Sequence, residues 1–265
     1  MSINSDFVIT QDGTPTLWDS QVGEHHHSLI GAYTEARYKF VEIALPIIKS
    51  KSRVSLLDLP FGLGYNLIAT LKTIDDLALN CFVDCVAIEK DLEVIRQIAQ
   101  LVEDKSIWSQ CNIGNKLIQY FEKISFFSNG IQNISADSFQ VKLLIDDLLI
   151  VLPKLESNSF DLIFYDPFSP RVSPSLWSKD NVLVHLERIL NKGGMLITYT
   201  ASNKVRKGLL EVGLSIAPGN AVGRKMPGTI AIKAKHQDII FNSNYISQET
   251  FTKETWEKIN RSISY

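Results

Sequence analysis

The chain has 265 residues, 45% of them hydrophobic and 21% charged, enough to bury one large core or one core plus a small lobe. Its 27 Lys+Arg against 29 Asp+Glu give a formal net charge of −2, so bulk electrostatics do not advertise a nucleic-acid binder, and such a partner would need a local basic patch. No apolar run approaches the ~20 residues that cross a bilayer, and the start MSINSDFVIT has neither a basic stretch nor an apolar signal core. The expected location is the cytoplasm, without membrane association. Three cysteines, Cys81, Cys85 and Cys111, are too few and too scattered for a disulfide framework and form no CxxC pair.

Residues 1–31 are expected to form a lead-in segment that turns at Asp12-Gly13 and Pro15. It carries three adjacent histidines, His25 to His27. Sequence neighbours rarely point at one ion and no HxxxH or HExxH spacing accompanies them, so a polar role beside a ligand is expected, with no metal. From Gly31 to Ile48 the apolar positions Ala32, Ala36, Phe40, Ala44, Leu45 and Ile48 recur at helical spacing and display Glu35 and Arg37 between them.

The central stretch is VSLLDLPFGLGYN, Val54 to Asn66. Its short apolar run ends in Asp58 and is followed by Gly62-Leu63-Gly64. Asn66 then opens a helical pattern through Leu67, Ile68 and Leu71, running to about Ile74. A buried strand, a tight glycine turn and a helix start let backbone approach a nucleotide-like cofactor closely. A second strand, Cys81 to Ile88, delivers Glu89, 25 positions after Gly64, where an acid can accept hydrogen bonds from ribose hydroxyls.

Leu92 to Val102 predicts a second amphipathic helix. Ser106 to Gln140 is poorly legible, with a possible helix over Ile118 to Phe126 and a turn-rich insertion at SNGIQNISAD. Val141 to Ile145 predicts a third strand. Asp146 and Asp147 follow it, suited to meeting an adenine edge or to capping the short helix that ends near Pro153. A fourth strand, Phe160 to Tyr165, ends in DPFSPRVSP. Asp166 therefore stands at a strand tip, with Pro167, Pro170 and Pro174 stiffening the loop that holds Phe168 and Arg171. A helix is expected from Leu176 to Leu190, stopped by Asn191-Lys192-Gly193-Gly194, then a strand from Met195 to Thr200. A basic helix, KVRKGLLEVG, a sixth strand at Leu214 to Ala217 and a last strand at TIAIKAK complete the pattern.

Strands alternating with helices predict an α/β fold: a doubly wound, seven-stranded, mostly parallel sheet with an antiparallel last strand. The dehydrogenase fingerprint GxGxxG is absent at Gly62. The strand count and glycine turn resemble class I S-adenosylmethionine-dependent methyltransferases, whose fold is Rossmann-like.

Six ordered motifs narrow the resemblance. DGTPTL, GEHHHS with GAYTEAR, LDLPFGLGYN, FYDPFSPRVSPSLW, LNKGGMLITYTASNKVRKGL and GRKMPGTIA, spanning roughly residues 11 to 233, are together similar to the MnmC-type tRNA 5-methylaminomethyl-2-thiouridine methyltransferases. One departure is Pro60, at the place of the first glycine of the usual turn, where it removes a backbone donor. The resemblance implies an enzyme that methylates the aminomethyl group of a modified wobble uridine in tRNA, with S-adenosyl-L-methionine as cofactor. It also implies only the transferase half, with a separate oxidase as a candidate source of the substrate.

On that footing the candidate cofactor-binding residues are Glu35, Asp58, Gly62, Gly64, Asn66, Glu89 and Asp147. Asp166 and Phe168 are the candidate catalytic pair: the carboxylate orients the amine and relays its proton, and the ring stacks on the base or walls off water. Arg171, Lys204, Arg206, Lys207, Arg224 and Lys225 are candidate phosphate contacts for the anticodon loop. The expected organisation is a lead-in segment and helix contributing to the site over 1–50, a methyltransferase domain over 51–235 and an extension over 236–265. Two alternatives stay open: a methyltransferase for another amine or small molecule, and a non-catalytic scaffold of the same fold that binds tRNA or protein.

Overall fold

The N-terminal segment, expected as a lead-in, folds as a three-stranded antiparallel sheet: β1 (Phe7–Ile9), β2 (Pro15–Asp19) and β3 (Glu24–His25). The structure, a computed structural model, describes residues 7–20, 22–103, 114–124, 132–221 and 226–233. The extension expected over 236–265 lies outside the described residues. Asp12 fastens the small sheet to the first helix. Its carboxylate accepts the Thr14 N–H at 3.0 Å and the Thr34 N–H at 2.8 Å, the second being an orphan donor in the first turn of that helix. Burial works to raise the Asp12 pKa, and the hydrogen bonds from Thr14 and Thr34 outweigh it and hold it below the ordinary value.

The helix so fastened is α1 (Ala32–Ala36), which passes through a π-helical turn at Arg37–Val41 into α2 (Glu42–Ser50), much as the apolar spacing predicts. The chain then alternates as expected: β4 (Arg53–Leu59), α3 (Tyr65–Asp76), β5 (Phe82–Glu89) and α4 (Leu92–Glu103). Helix α5 (Gly114–Ile124) and strand β6 (Gln132–Ser135) precede β7 (Phe139–Ile145) and the short α6 (Leu148–Val151). Strand β8 (Phe160–Tyr165), helix α7 (Val184–Ile189), strand β9 (Leu190–Thr198), helix α8 (Asn203–Glu211) and strands β10 (Ser215–Pro218) and β11 (Thr229–Ile232) complete the order.

The main sheet runs β10-β11-β9-β8-β4-β5-β7-β6, with β9, β8, β4, β5 and β7 mutually parallel and β11 antiparallel to β9. Period-two alternation sends Val54, Leu56, Leu162 and Phe164 into the core on one face and Leu57, Leu59, Ile163 and Tyr165 into the core on the other. This is the doubly wound arrangement expected, with the antiparallel strand in place.

Three expectations are corrected. The sheet has eight strands rather than seven, because SNGIQNISAD contains β6, which pairs antiparallel with β7 at the edge. A single apolar residue, Ile134, lies within β6, so an edge strand made mostly by backbone pairing leaves no hydrophobic pattern to find. The helix expected from Leu176 to Leu190 is three pieces: a 3₁₀ turn at Pro174–Trp177, a π-helical turn at Lys179–Leu183, and α7. Gly193-Gly194 does not stop that helix, since β9 already begins at Leu190, opposite Phe160. The glycines serve a bulge there, with Gly193 at φ +78° and a register shift between Phe160 and Leu162.

Candidate functional site

Strand β4 is where the order of the sheet reverses, with β5 and β7 on one side and β8 and β9 on the other. A crevice at the carboxyl ends of β4 and β8 is therefore the expected ligand position for such a sheet. Leu59 is paired with Tyr165, and the Asp166 N–H donates to the Leu59 carbonyl at 3.0 Å, so the two strand tips lie side by side. From there the chain turns through Pro60 and Phe61, whose N–H donates to Ile88 O at 2.8 Å, into Gly62 and Gly64 at φ +54° and +79°. A methyl group on Gly64 would lie 2.7 Å from the Phe61 ring, whereas one on Gly62 would meet only His26 Nδ1, at 4.0 Å. Gly64 is thus needed for packing, and Gly62 for conformation beside open space.

Three carboxylates surround this turn in different states. Asp58 is fully buried; one oxygen receives the Asn66 amide at 3.4 Å and Oδ2 has no hydrogen-bond partner. Burial pushes its pKa up to about 8, against smaller lowering by hydrogen bonds from Asn66 and Leu67. Glu89, also buried, accepts the Gly62 N–H and the Asp91 N–H, each at 2.9 Å, and burial raises its pKa despite them. Asp147 caps α6, accepting the Leu149 N–H at 2.9 Å, while the neighbouring Asp146 is exposed.

Over the turn lies a cavity of about 410 Å³ whose walls include Gly62, Asn66, Asp166 and Phe168. The small N-terminal sheet and the start of α1 supply the opposite wall, with Trp18, His26, His27 and Glu35. Glu35 accepts the Ser28 N–H at 2.6 Å and a hydrogen bond from the Lys39 ammonium. Burial works to raise its pKa, and the attraction of Lys39 overrides it. His27 shares a contact of 3.1 Å between Nδ1 and the Thr16 hydroxyl, and burial holds its pKa near 4, so its imidazole is neutral at pH 7. His26 stands edge-on to Phe168 with ring centroids 5.4 Å apart.

The Asp166–Phe168 loop is held from beneath by more than its prolines. The Tyr199 hydroxyl donates to Pro167 O and the Trp177 indole N–H to Phe168 O, both at 2.8 Å, and the Tyr165 hydroxyl donates to Leu176 O. From above, the Ser169 hydroxyl reaches Glu24 Oε1 at 3.2 Å, joining β3 to the loop.

Of the residues singled out in the sequence, Glu35, Gly62, Asn66, Asp166 and Phe168 line this one cavity. Asp58, Gly64 and Glu89 stand behind its wall, and Asp147 lies at the end of β7. Arg171 is exposed and 3.7 Å from Glu24; Lys204 and Lys207 border a separate groove behind the loop. Arg206 is a correction. It is buried, donating from Nε to Thr229 Oγ1 at 2.9 Å and from Nη2 to the carbonyls of Pro227 and Gly228 at 3.0 Å, so it cannot reach a phosphate. It faces inward because i, i+3 and i+4 spacing puts it on the same side of α8 as Leu209 and Leu210. Arg224 and Lys225 lie outside the described residues. Trp18, Glu24 and Tyr199 were not singled out, since nothing in their local sequence separates them from strand residues of a core.

Residues 112–234 match a family profile described as S-adenosyl-L-methionine-dependent methyltransferase. The chain is 29% identical over 230 residues, 85% of its length, to the tRNA 5-methylaminomethyl-2-thiouridine biosynthesis bifunctional protein MnmC of Ralstonia nicotianae. It is 31% identical over 228 residues to the uncharacterized protein MJ0670 of Methanocaldococcus jannaschii, again over 85% of its length. In structure it superposes on MnmC2 from Aquifex aeolicus with a TM-score of 0.72 at 24% identity, covering 100% of this chain and 77% of that one. The chain is similar in sequence to MnmC proteins and shares the fold of MnmC2. The fold is the class I one, and the profile matched over residues 112–234 gives S-adenosyl-L-methionine as the cofactor. The chain spans 59% of the M. jannaschii protein and 34% of the R. nicotianae one. No described helix is long and apolar enough to cross a membrane.

Proposed function

We propose that the chain transfers a methyl group to the aminomethyl nitrogen of a modified wobble uridine in tRNA, converting 5-aminomethyl-2-thiouridine to 5-methylaminomethyl-2-thiouridine. The observation that carries the reading is Asp166, which follows directly on β8, beside the β4 glycine turn, on the wall of a cavity that Phe168 also lines. Similarity to MnmC proteins supplies the substrate class. The cytoplasm, where tRNA is found, is the location that goes with it.

The residues present fit S-adenosyl-L-methionine. Gly62 offers an open backbone surface, Asn66 a side-chain amide, and Asp58 a buried carboxylate oxygen without a partner, while Glu89 is poised behind Gly62. The bound cofactor supplies an electrophilic methyl group on a sulfonium. The Asp166 carboxylate would orient the amine and receive the proton that the nitrogen sheds on being methylated. Phe168 and His26 exclude water from the reacting nitrogen. Asp147 is assigned to the adenine edge, and Arg171, Lys204 and Lys207 to phosphates of the anticodon loop. Residues 1–50 act as the outer wall of the site, 51–235 as the methyltransferase domain and 236–265 as an extension. Because the MnmC relatives are described as bifunctional, a second activity is assigned to supplying the aminomethyl substrate.

The test is mass spectrometry of tRNA nucleosides after incubation with the protein and methyl-labelled cofactor. The label should appear in 5-methylaminomethyl-2-thiouridine. Unlabelled tRNA together with labelling of a free amine would replace this reading with that of a small-molecule amine methyltransferase.

A further inference from the structure

We propose that Trp18 is a stacking platform for a nucleobase adjacent to the reacting one, forming a second subsite at the mouth of the cavity. The proposal rests on the tRNA reading above. On β2, alternation turns Leu17 into the core and Trp18 outward, where it remains 42% exposed while lining the same cavity as Asp166 and Phe168. Its position is held: Trp18 is paired with His25 across the antiparallel strands, and the two rings lie at 64° with centroids 4.7 Å apart. The next residue of the partner strand, Glu24, takes the Ser169 hydroxyl and lies 3.7 Å from the Arg171 guanidinium. Indole, cavity and loop are therefore joined through β3, and Arg171, 86% exposed at the side chain, puts a cation near the same rim.

An exposed indole at the rim of a largely polar cavity, with a guanidinium on the loop that Glu24 of β3 contacts, is the chemistry that receives an unstacked base and its phosphate. An apolar protein partner would find the exposed indole and Leu29 set among histidines and acids. When a single-stranded base is drawn into the cavity, its neighbour loses a stacking face, and the indole replaces it at a small conformational cost because its strand is already ordered.

The experiment measures binding of a fluorescently labelled anticodon stem-loop RNA to the full chain by anisotropy, for the wild type, Trp18→Ala and Trp18→Phe. Calorimetry of S-adenosyl-L-methionine binding to the same proteins serves as the check on folding. Trp18→Ala should weaken RNA binding roughly 5- to 100-fold, the range for loss of one base–aromatic stack, and Trp18→Phe should recover most of it. Cofactor affinity should stay within about twofold, since the indole stands on the sheet opposite the glycine turn. Equal RNA affinity of the wild type and Trp18→Ala overturns the subsite alone. Loss of cofactor affinity in proportion to RNA affinity also overturns it, by making Trp18 a structural residue. Failure of the wild type to bind the RNA overturns both the subsite and the tRNA reading.

Discussion

Asp58 and Asp166 stand at the ends of neighbouring parallel strands in opposite surroundings, one sealed in the protein and one on a cavity wall. In the proposed reaction Asp166 acts on the nitrogen and not on the cofactor. Asp166→Ala should therefore abolish turnover while leaving S-adenosyl-L-methionine affinity within a few fold by calorimetry, and parallel loss of both would remove its assigned role. Asp58 carries a different expectation. Its folded pKa is raised to about 8, so the folded state keeps a proton that the unfolded chain releases near pH 4. Its contribution to stability is full below about pH 4 and is lost as pH rises through 8. Asp58→Asn should escape that loss. Its melting temperature, compared with the wild type without cofactor, should gain on the order of 5 °C between pH 5 and pH 8.5, and parallel curves would contradict the buried acid. Both carboxylates were legible in the sequence as acids at strand ends, but the raised pKa of Asp58 was not. Burial and the absence of a partner at Asp58 Oδ2 arise from residues distant in the chain.

At the scale of elements, the β4–α3 turn separates two glycines that look alike in sequence. Both adopt positive φ, which costs a non-glycine residue roughly 1 kcal/mol. Only at Gly64 does a Cβ also collide with a buried ring, 2.7 Å from Phe61. Gly64→Ala should lower stability by about 2–3 kcal/mol and Gly62→Ala by about 1, measured by urea denaturation. Equal losses would place the clash elsewhere. The turn itself was readable because a strand, a glycine pair and a helix start follow one another within thirteen residues, Val54 to Asn66. Elements made by tertiary pairing were not. The three N-terminal strands are only 3, 5 and 2 residues long, β3 has no apolar residue, and β6 is defined by its hydrogen bonds to β7.

For the whole molecule, a net charge of −2 means that the tRNA of the proposed reaction would have to be held by a few local cations. With Arg206 withdrawn into the core, Arg171, Lys204 and Lys207 remain among the described candidates, and Lys207 lies 3.7 Å from Glu211. The slope of log affinity for tRNA against log salt should therefore be about −2 for these three, and about −3.5 with Arg224 and Lys225 added, since each contact with single-stranded phosphate contributes about −0.7. A steep slope of about −6 or beyond would require a basic surface that these residues do not make.

The doubly wound class, the glycine turn, the strand-tip Asp166 and the six motifs that carry the resemblance were determined by the sequence alone, because each lies in a local run whose periodicity or order is written in consecutive residues. Only the tertiary structure decided that the histidine segment and Trp18 close the cavity from the far side, that Arg206 is buried, and that an eighth strand extends the sheet. Those facts depend on contacts between segments far apart in the chain, such as Glu24 with Ser169 and Arg206 with Thr229, which no local pattern encodes.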